Sequence, residues 1–194
     1  MRGKALVEVF EAEAPRARAV FGFDLSLRRP GFCFLPPWWH PQDPWSGVEV
    51  EAVEEEKDAG ATRLLRIVEA AECFIESRWL REPRSIAPAC FVEQHAFGMS
   101  GGAYALERAE LVGAVKVMVR MRWTVETIPI VAASARKLLL GPQRRMSTRE
   151  WKPFIQASFR EMGAPEAWGE DERDAACIAN AGRHAIGLPC LAFG

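Results

Sequence analysis

The stretch Val20-Phe21-Gly22-Phe23-Asp24 constrains the fold of this chain more than any other. An uncharged run ends on a carboxylate, the Arg28-Arg29-Pro30-Gly31 cluster turns the chain, and a second apolar run, Gly31-Phe32-Cys33-Phe34-Leu35, follows at once. Two short apolar runs around a Pro-Gly turn predict a β-hairpin of buried strands. An acid at the end of such a strand has two physical readings. Asp caps turns by accepting hydrogen bonds from nearby backbone amides; it also serves as a metal ligand held on a rigid element. The stretch alone leaves both open.

The 194 residues suit one domain with a full hydrophobic core. No apolar run reaches the length needed to span a bilayer, and the first residues lack the apolar core of a signal peptide, so no membrane partner is expected. Five cysteines (Cys33, Cys73, Cys90, Cys177, Cys190) are scattered with no CxxC pair. That pattern argues for a reducing compartment and against a zinc knuckle. The net charge of −1 hides an asymmetry: from 116 to 160 ten Lys or Arg face two acids, a local balance of +8. A basic segment of this kind is either a solvated helical surface or a footprint for a polyanion.

Periodicity gives the remaining elements. Residues 47–53 alternate apolar and acidic, as an edge strand does. Residues 61–80 carry apolar side chains at helical spacing. A short run ending Phe91-Val92-Glu93 reads as a strand that again stops on an acid, followed by a Gly-rich loop. A long helix is expected over 103–122, with small residues on one face. A strand over 123–130 is expected to halt around Pro129, and a short helix over 132–140 to end at Gly141-Pro142. Further helices are expected from 148 to 162 and from Glu170 past Ala181. Trp38, Trp39 and Trp45 share a proline-rich loop and are read as packing or interface residues rather than a base-stacking platform. Residues 1–18 read as an N-terminal extension to a single domain over 19–194. Antiparallel strands first and a βαβα pattern later imply a mixed α/β sheet.

Three places then put acids where a buried scaffold ends: Asp24, Glu93, and the Glu170-Asp171-Glu172-Arg173-Asp174 start of the last helix. Strands of like direction end at one sheet edge, and residues three apart share a helix face, so Asp24, Glu93, Asp171 and Asp174 can converge. The small residues after Asp174 suit a helix pressed closely on the sheet. Converging carboxylates repel unless a hard cation compensates them, and all-oxygen ligands suit Mg²⁺ or Mn²⁺. A metal pair is a common device for in-line attack on a phosphodiester. Glu170 and Glu172 are read as solvated.

The stretches Gly22-Phe23-Asp24-Leu25-Ser26-Leu27, Phe91-Val92-Glu93-Gln94 and Asp171-Glu172-Arg173-Asp174-Ala175-Ala176-Cys177-Ile178-Ala179 carry a resemblance. Over residues 19–187 the chain resembles the RuvC-type Holliday junction resolvases of the ribonuclease H-like superfamily. The family's first motif has Asp-Pro-Gly where this chain has Asp24-Leu25-Ser26, the divergence of a distant or phage-encoded member. The resemblance implies a ribonuclease H-like, five-stranded mixed sheet, antiparallel over its first three strands and then parallel, flanked by helices. It implies four metal-binding acids, on Asp24, Glu93, Asp171 and Asp174, holding two Mg²⁺ or Mn²⁺ ions per active site. It implies a homodimer that resolves four-way (Holliday) junctions by symmetric paired nicks, with branched DNA as substrate. Host recombination machinery is a further partner, and the location is the cytoplasm of a bacterium or an infected host cell. Phe97 is the family-like candidate for stacking at the crossover. Arg136, Lys137 and Lys152 match family lysines near the scissile region, and Arg144, Arg145 and Arg149 extend the expected DNA contact. The small residues Ala105, Ala109, Gly113 and Ala114 offer a dimer face. The rival readings are a related nuclease for other branched DNA, flaps or RNA–DNA hybrids, a non-catalytic junction-binding protein, and an actin-like ATPase, which needs two such domains.

Overall fold

Strand parity divides the molecule. The computed structural model describes residues 7–9, 18–54, 59–82, 88–94, 103–141 and 148–193. Five strands form the central sheet: β2 (Val20–Asp24), β3 (Gly31–Leu35), β4 (Glu49–Ala52), β5 (Ala89–Gln94) and β6 (Thr127–Val131), in the order β4-β3-β2-β5-β6. The β2–β3 and β3–β4 pairs are antiparallel, whereas β5 is parallel to β2 and β6 to β5. Helices α1 (Gly60–Trp79), α2 (Ala103–Trp123), α3 (Ala132–Leu140), α4 (Thr148–Glu161) and α5 (Glu170–Ala185) flank it. Two short strands, β1 (Val7–Val9) and β7 (Leu191–Phe193), pair antiparallel outside the main sheet. The sequence pattern had not marked β7. Among the described residues no helix is long and apolar enough to cross a membrane.

Successive residues of a strand face opposite sides. Phe21 and Phe23 of β2, Phe32 and Phe34 of β3, and Cys90 and Val92 of β5 therefore pack on one face against Ile67, Ala71, Phe74 and Ile75 of α1 and Leu111, Val115 and Val119 of α2. Their rings interlock, with Phe23–Phe32 centroids 5.6 Å apart and Phe21–Phe74 6.2 Å apart in edge-on contact. Val20, Cys33, Leu35 and Phe91 point the other way, into a core completed by α3, α4 and α5.

On that second face α5 approaches the sheet backbone itself. A Cβ on Gly22 would stand 2.5 Å from the Ala179 nitrogen and 2.6 Å from the Ala175 carbonyl oxygen. A Cβ on Gly31 would run into the carbonyl of Asp171. Only glycine at these two strand positions lets the helix lie so close, and the closeness brings the first turn of α5 to the ends of β2 and β5.

One sequence expectation changes. β6 does not halt at Pro129; the strand runs on to Val131, with Pro129 opposite Val92. An edge strand tolerates proline because one side of its backbone needs no ladder partner. The tryptophan loop divides. Trp39 is buried, its indole donates to the Pro44 carbonyl at 2.8 Å, and the Arg183 guanidinium stacks on its ring. Trp45 packs on Phe159 and Trp168 and donates to the Met162 carbonyl at 2.6 Å. Trp38 stays largely exposed, with its ring edge over Gly47. Trp39 thus belongs to the core and Trp45 packs against it, the packing role expected from sequence.

Candidate active site

Asp24 and Glu93 have the strand parity of Gly22 and Phe91, so both belong to the face that α5 covers. Phe23 pairs with Val92 in the parallel β2–β5 ladder, which brings the next residues, Asp24 and Glu93, side by side at the C-terminal edge. Asp171 and Asp174 arrive from the first turns of α5. Asp24 feels the other three acids. The Asp24 carboxyl is pushed well above the ordinary range, first by burial, then by the charge of Glu93 and a hydrogen bond with it, then by Asp174 and Asp171.

The other acids are balanced by arginine. Asp174, nearly buried, takes a forked pair of hydrogen bonds from Arg136 of α3: Nε donates to Oδ1 at 2.9 Å and Nη2 to Oδ2. Burial raises the Asp174 carboxyl; the Arg136 hydrogen bond and charge pull it back, and Glu170 and Glu93 add to the rise. Burial would lower the Arg136 guanidinium, but Asp174, with Cys177 and Asp24, drives it upward. Asp171 is raised by burial and its acidic neighbours against the pull of Arg29, whose Nε lies 3.8 Å away. Arg108 of α2 stands 3.8 Å from Glu93.

The remaining expected site residues distribute as follows. Lys137 is exposed beside Arg136 on α3, and Lys152 of α4 reaches Glu170 at 2.7 Å. Phe97, Arg144 and Arg145 lie outside the described residues, as does the side chain of Arg149, whose backbone belongs to α4. Arg136, expected at DNA, is in this structure the partner of Asp174. Glu172 is not solvated: it is buried and accepts a hydrogen bond from Arg29 Nη2 at 3.3 Å. Arg29, Arg108 and Glu172 were not singled out by sequence. Arg29 and Glu172 are 143 positions apart in the chain, and no local pattern marks such a pair.

No family model matches the chain. No curated protein matches it. Among solved structures, RuvC of Thermus thermophilus in complex with Holliday junction substrate aligns over 90% of this chain and 99% of its own, at 16% identity and a TM-score of 0.58. A second structure of the Thermus thermophilus protein aligns over 89% and 99%, at 18% identity and a TM-score of 0.55. The chain has the fold of RuvC.

On this RuvC fold the acids meet where β2 and β5 end and α5 begins. Four carboxylates and their oxygens form a donor set for a hard divalent ion. Asp24 is buried among like charges, an arrangement that a cation would favour. The residues present therefore fit such an ion. Among the described residues, however, no three acidic, histidine or cysteine side chains stand ready to hold one as they are placed.

Proposed function

We propose that this chain is a metal-dependent, structure-specific DNA endonuclease that resolves four-way junctions by paired nicks. The observation that carries the reading is the convergence of Asp24, Glu93, Asp171 and Asp174 at one edge of a RuvC-fold sheet. The Thermus protein of that fold was solved with a Holliday junction. Asp24, Glu93, Asp171 and Asp174 would hold Mg²⁺ or Mn²⁺. Bound there, such ions supply activation of water and neutralisation of the leaving oxygen. The protein's own part is to fix the carboxylates on two strand ends and a helix, where packing holds their geometry. Lys137 and the basic segment through α3 and α4 would follow phosphates, so affinity falls as salt rises.

We assign the nuclease unit to residues 19–194 and a cytoplasmic site of action. The active assembly is a homodimer, with one site for each strand cut. α2 offers the surface: Leu106, Gly113, Val117 and Met121 recur along one exposed side of it. Ala105, Ala109 and Ala114 are half-buried, so this exposed stripe, rather than the alanines, is the face available to a second copy.

The deciding experiment incubates the protein with Mg²⁺ or Mn²⁺ and an immobile four-way junction, maps the nicks, and repeats the assay with Asp24→Asn. Paired nicks that vanish in the variant, with junction binding retained, support the reading. Cleavage that survives the substitution ends it. Preferential cutting of flaps or hybrids makes the chain a related nuclease of the same fold. Binding without cutting by the native protein makes it a junction-binding module.

A further inference from the structure

Arg136 stands in an unusual place for a residue expected to meet DNA. Its planar fork closes on both oxygens of Asp174, a carboxylate at the centre of the acidic cluster. The neighbouring Asp24 is buried, with Glu93 beside it at the end of the paired strand. A divalent ion at Asp174 would have to lie beside a fixed positive charge, a repulsive arrangement in a site this poorly solvated. The same fork matches a phosphate as well as it matches a carboxylate. Asp174 keeps only 10% of its side chain accessible, but Arg136 keeps 26%, so the guanidinium can be reached from outside while its partner is held within.

We propose that Arg136 is a displaceable internal cation: it occupies Asp174 in the metal-free protein and gives way when a DNA phosphate draws the guanidinium outward, coupling metal loading to substrate binding. This rests on the metal-nuclease reading above. Arg136 is a positioning residue here, acting through Asp174. It keeps the acidic cluster stable without metal and delays ion capture until DNA is present.

The test follows free Mn²⁺ by electron paramagnetic resonance, with the full chain as wild type, Arg136→Gln and Arg136→Lys, each with and without a four-way junction, and with DNA alone subtracted. Without DNA, Arg136→Gln is expected to bind Mn²⁺ at least tenfold more tightly than wild type, and Arg136→Lys to fall between them. The junction is expected to tighten Mn²⁺ binding to wild type and to leave Arg136→Gln unchanged. Equal Mn²⁺ affinity in wild type and Arg136→Gln, or a wild type indifferent to DNA, overturns the proposal and leaves the nuclease reading standing. Absence of Mn²⁺ binding in both proteins overturns the two together. If Arg136→Gln does not fold without metal, melting curves in graded Mn²⁺ decide: folding must be restored at concentrations that leave the wild-type Tm unmoved, and failure to restore it overturns the proposal.

Discussion

The two faces of the central sheet solve the same packing problem with opposite materials. Toward α1 and α2 the strands present rings: Phe21, Phe23, Phe32 and Phe34 close around Phe74. Toward α5 they present Val20, Cys33, Leu35 and Phe91, and between these Gly22 and Gly31 meet the helix backbone. A layer of rings contributes stability through buried area and tolerates some repacking. A glycine contact contributes little area but fixes distance, because backbone cannot move aside for a methyl group. The acids belong to the second face. Asp24 and Glu93, from two strands, and Asp171 and Asp174, from a helix, thus stand where the packing is least forgiving.

Substitutions can break that contrast, and the largest effect falls on the acids themselves. Asp24→Asn is expected to lower junction cleavage at least about 10³-fold, some 4 kcal/mol of transition-state stabilisation. Gly31→Ala comes next. Its new methyl meets the Asp171 carbonyl, so α5 must shift, with an expected loss of about 3 kcal/mol in denaturant unfolding and a further loss of cleavage per folded molecule. Phe74→Leu on the ring face is expected to cost about 1.5 kcal/mol while leaving cleavage per folded molecule intact. A Phe74 variant that lost cleavage as steeply as Gly31→Ala would show that the two faces do not differ in this way.

The acidic edge also predicts a stability trade. Asp24 is held above its ordinary value in the folded protein, so the native state keeps that proton longer than the unfolded chain does. The stabilisation it contributes is complete below the ordinary carboxyl range and is lost as pH rises through the folded-state value. In chelator, the Tm of Asp24→Asn is therefore expected to exceed that of wild type by a margin that widens with pH. Such a substitution removes function and stabilises the fold. The smallest effect is expected at the far edge of the sheet. Arg81 pairs with Glu49 on the exposed side of β4, and Arg81→Ala is expected to change stability by less than about 0.5 kcal/mol.

Much of this was legible in one dimension. The hairpin at Val20–Asp24 and Gly31–Leu35, the helices, and the acids at strand ends follow from period-2 and period-3.6 patterns, which are local. The same parity that buries Phe23 sends Asp24 to the opposite face, so the meeting of Asp24 with Glu93 was a consequence of register. The arginines were not legible. Arg136 reads as one member of a basic segment, and Arg29 as part of a turn. Their partners, Asp174 and Glu172, are chosen by how α3 and the hairpin sit against α5. Glu172 looks like one more helix-start charge until that docking buries it. Pro129 reads as a stop because the sequence does not say which strand lies at the edge.

By itself the sequence determined which residues are apolar, where each run ends, and that a carboxylate follows the end of two of them. These are properties of neighbours in the chain. The tertiary structure alone decided which positive charge answers each of those carboxylates, because a salt bridge depends on distance in space and distance in sequence does not encode it.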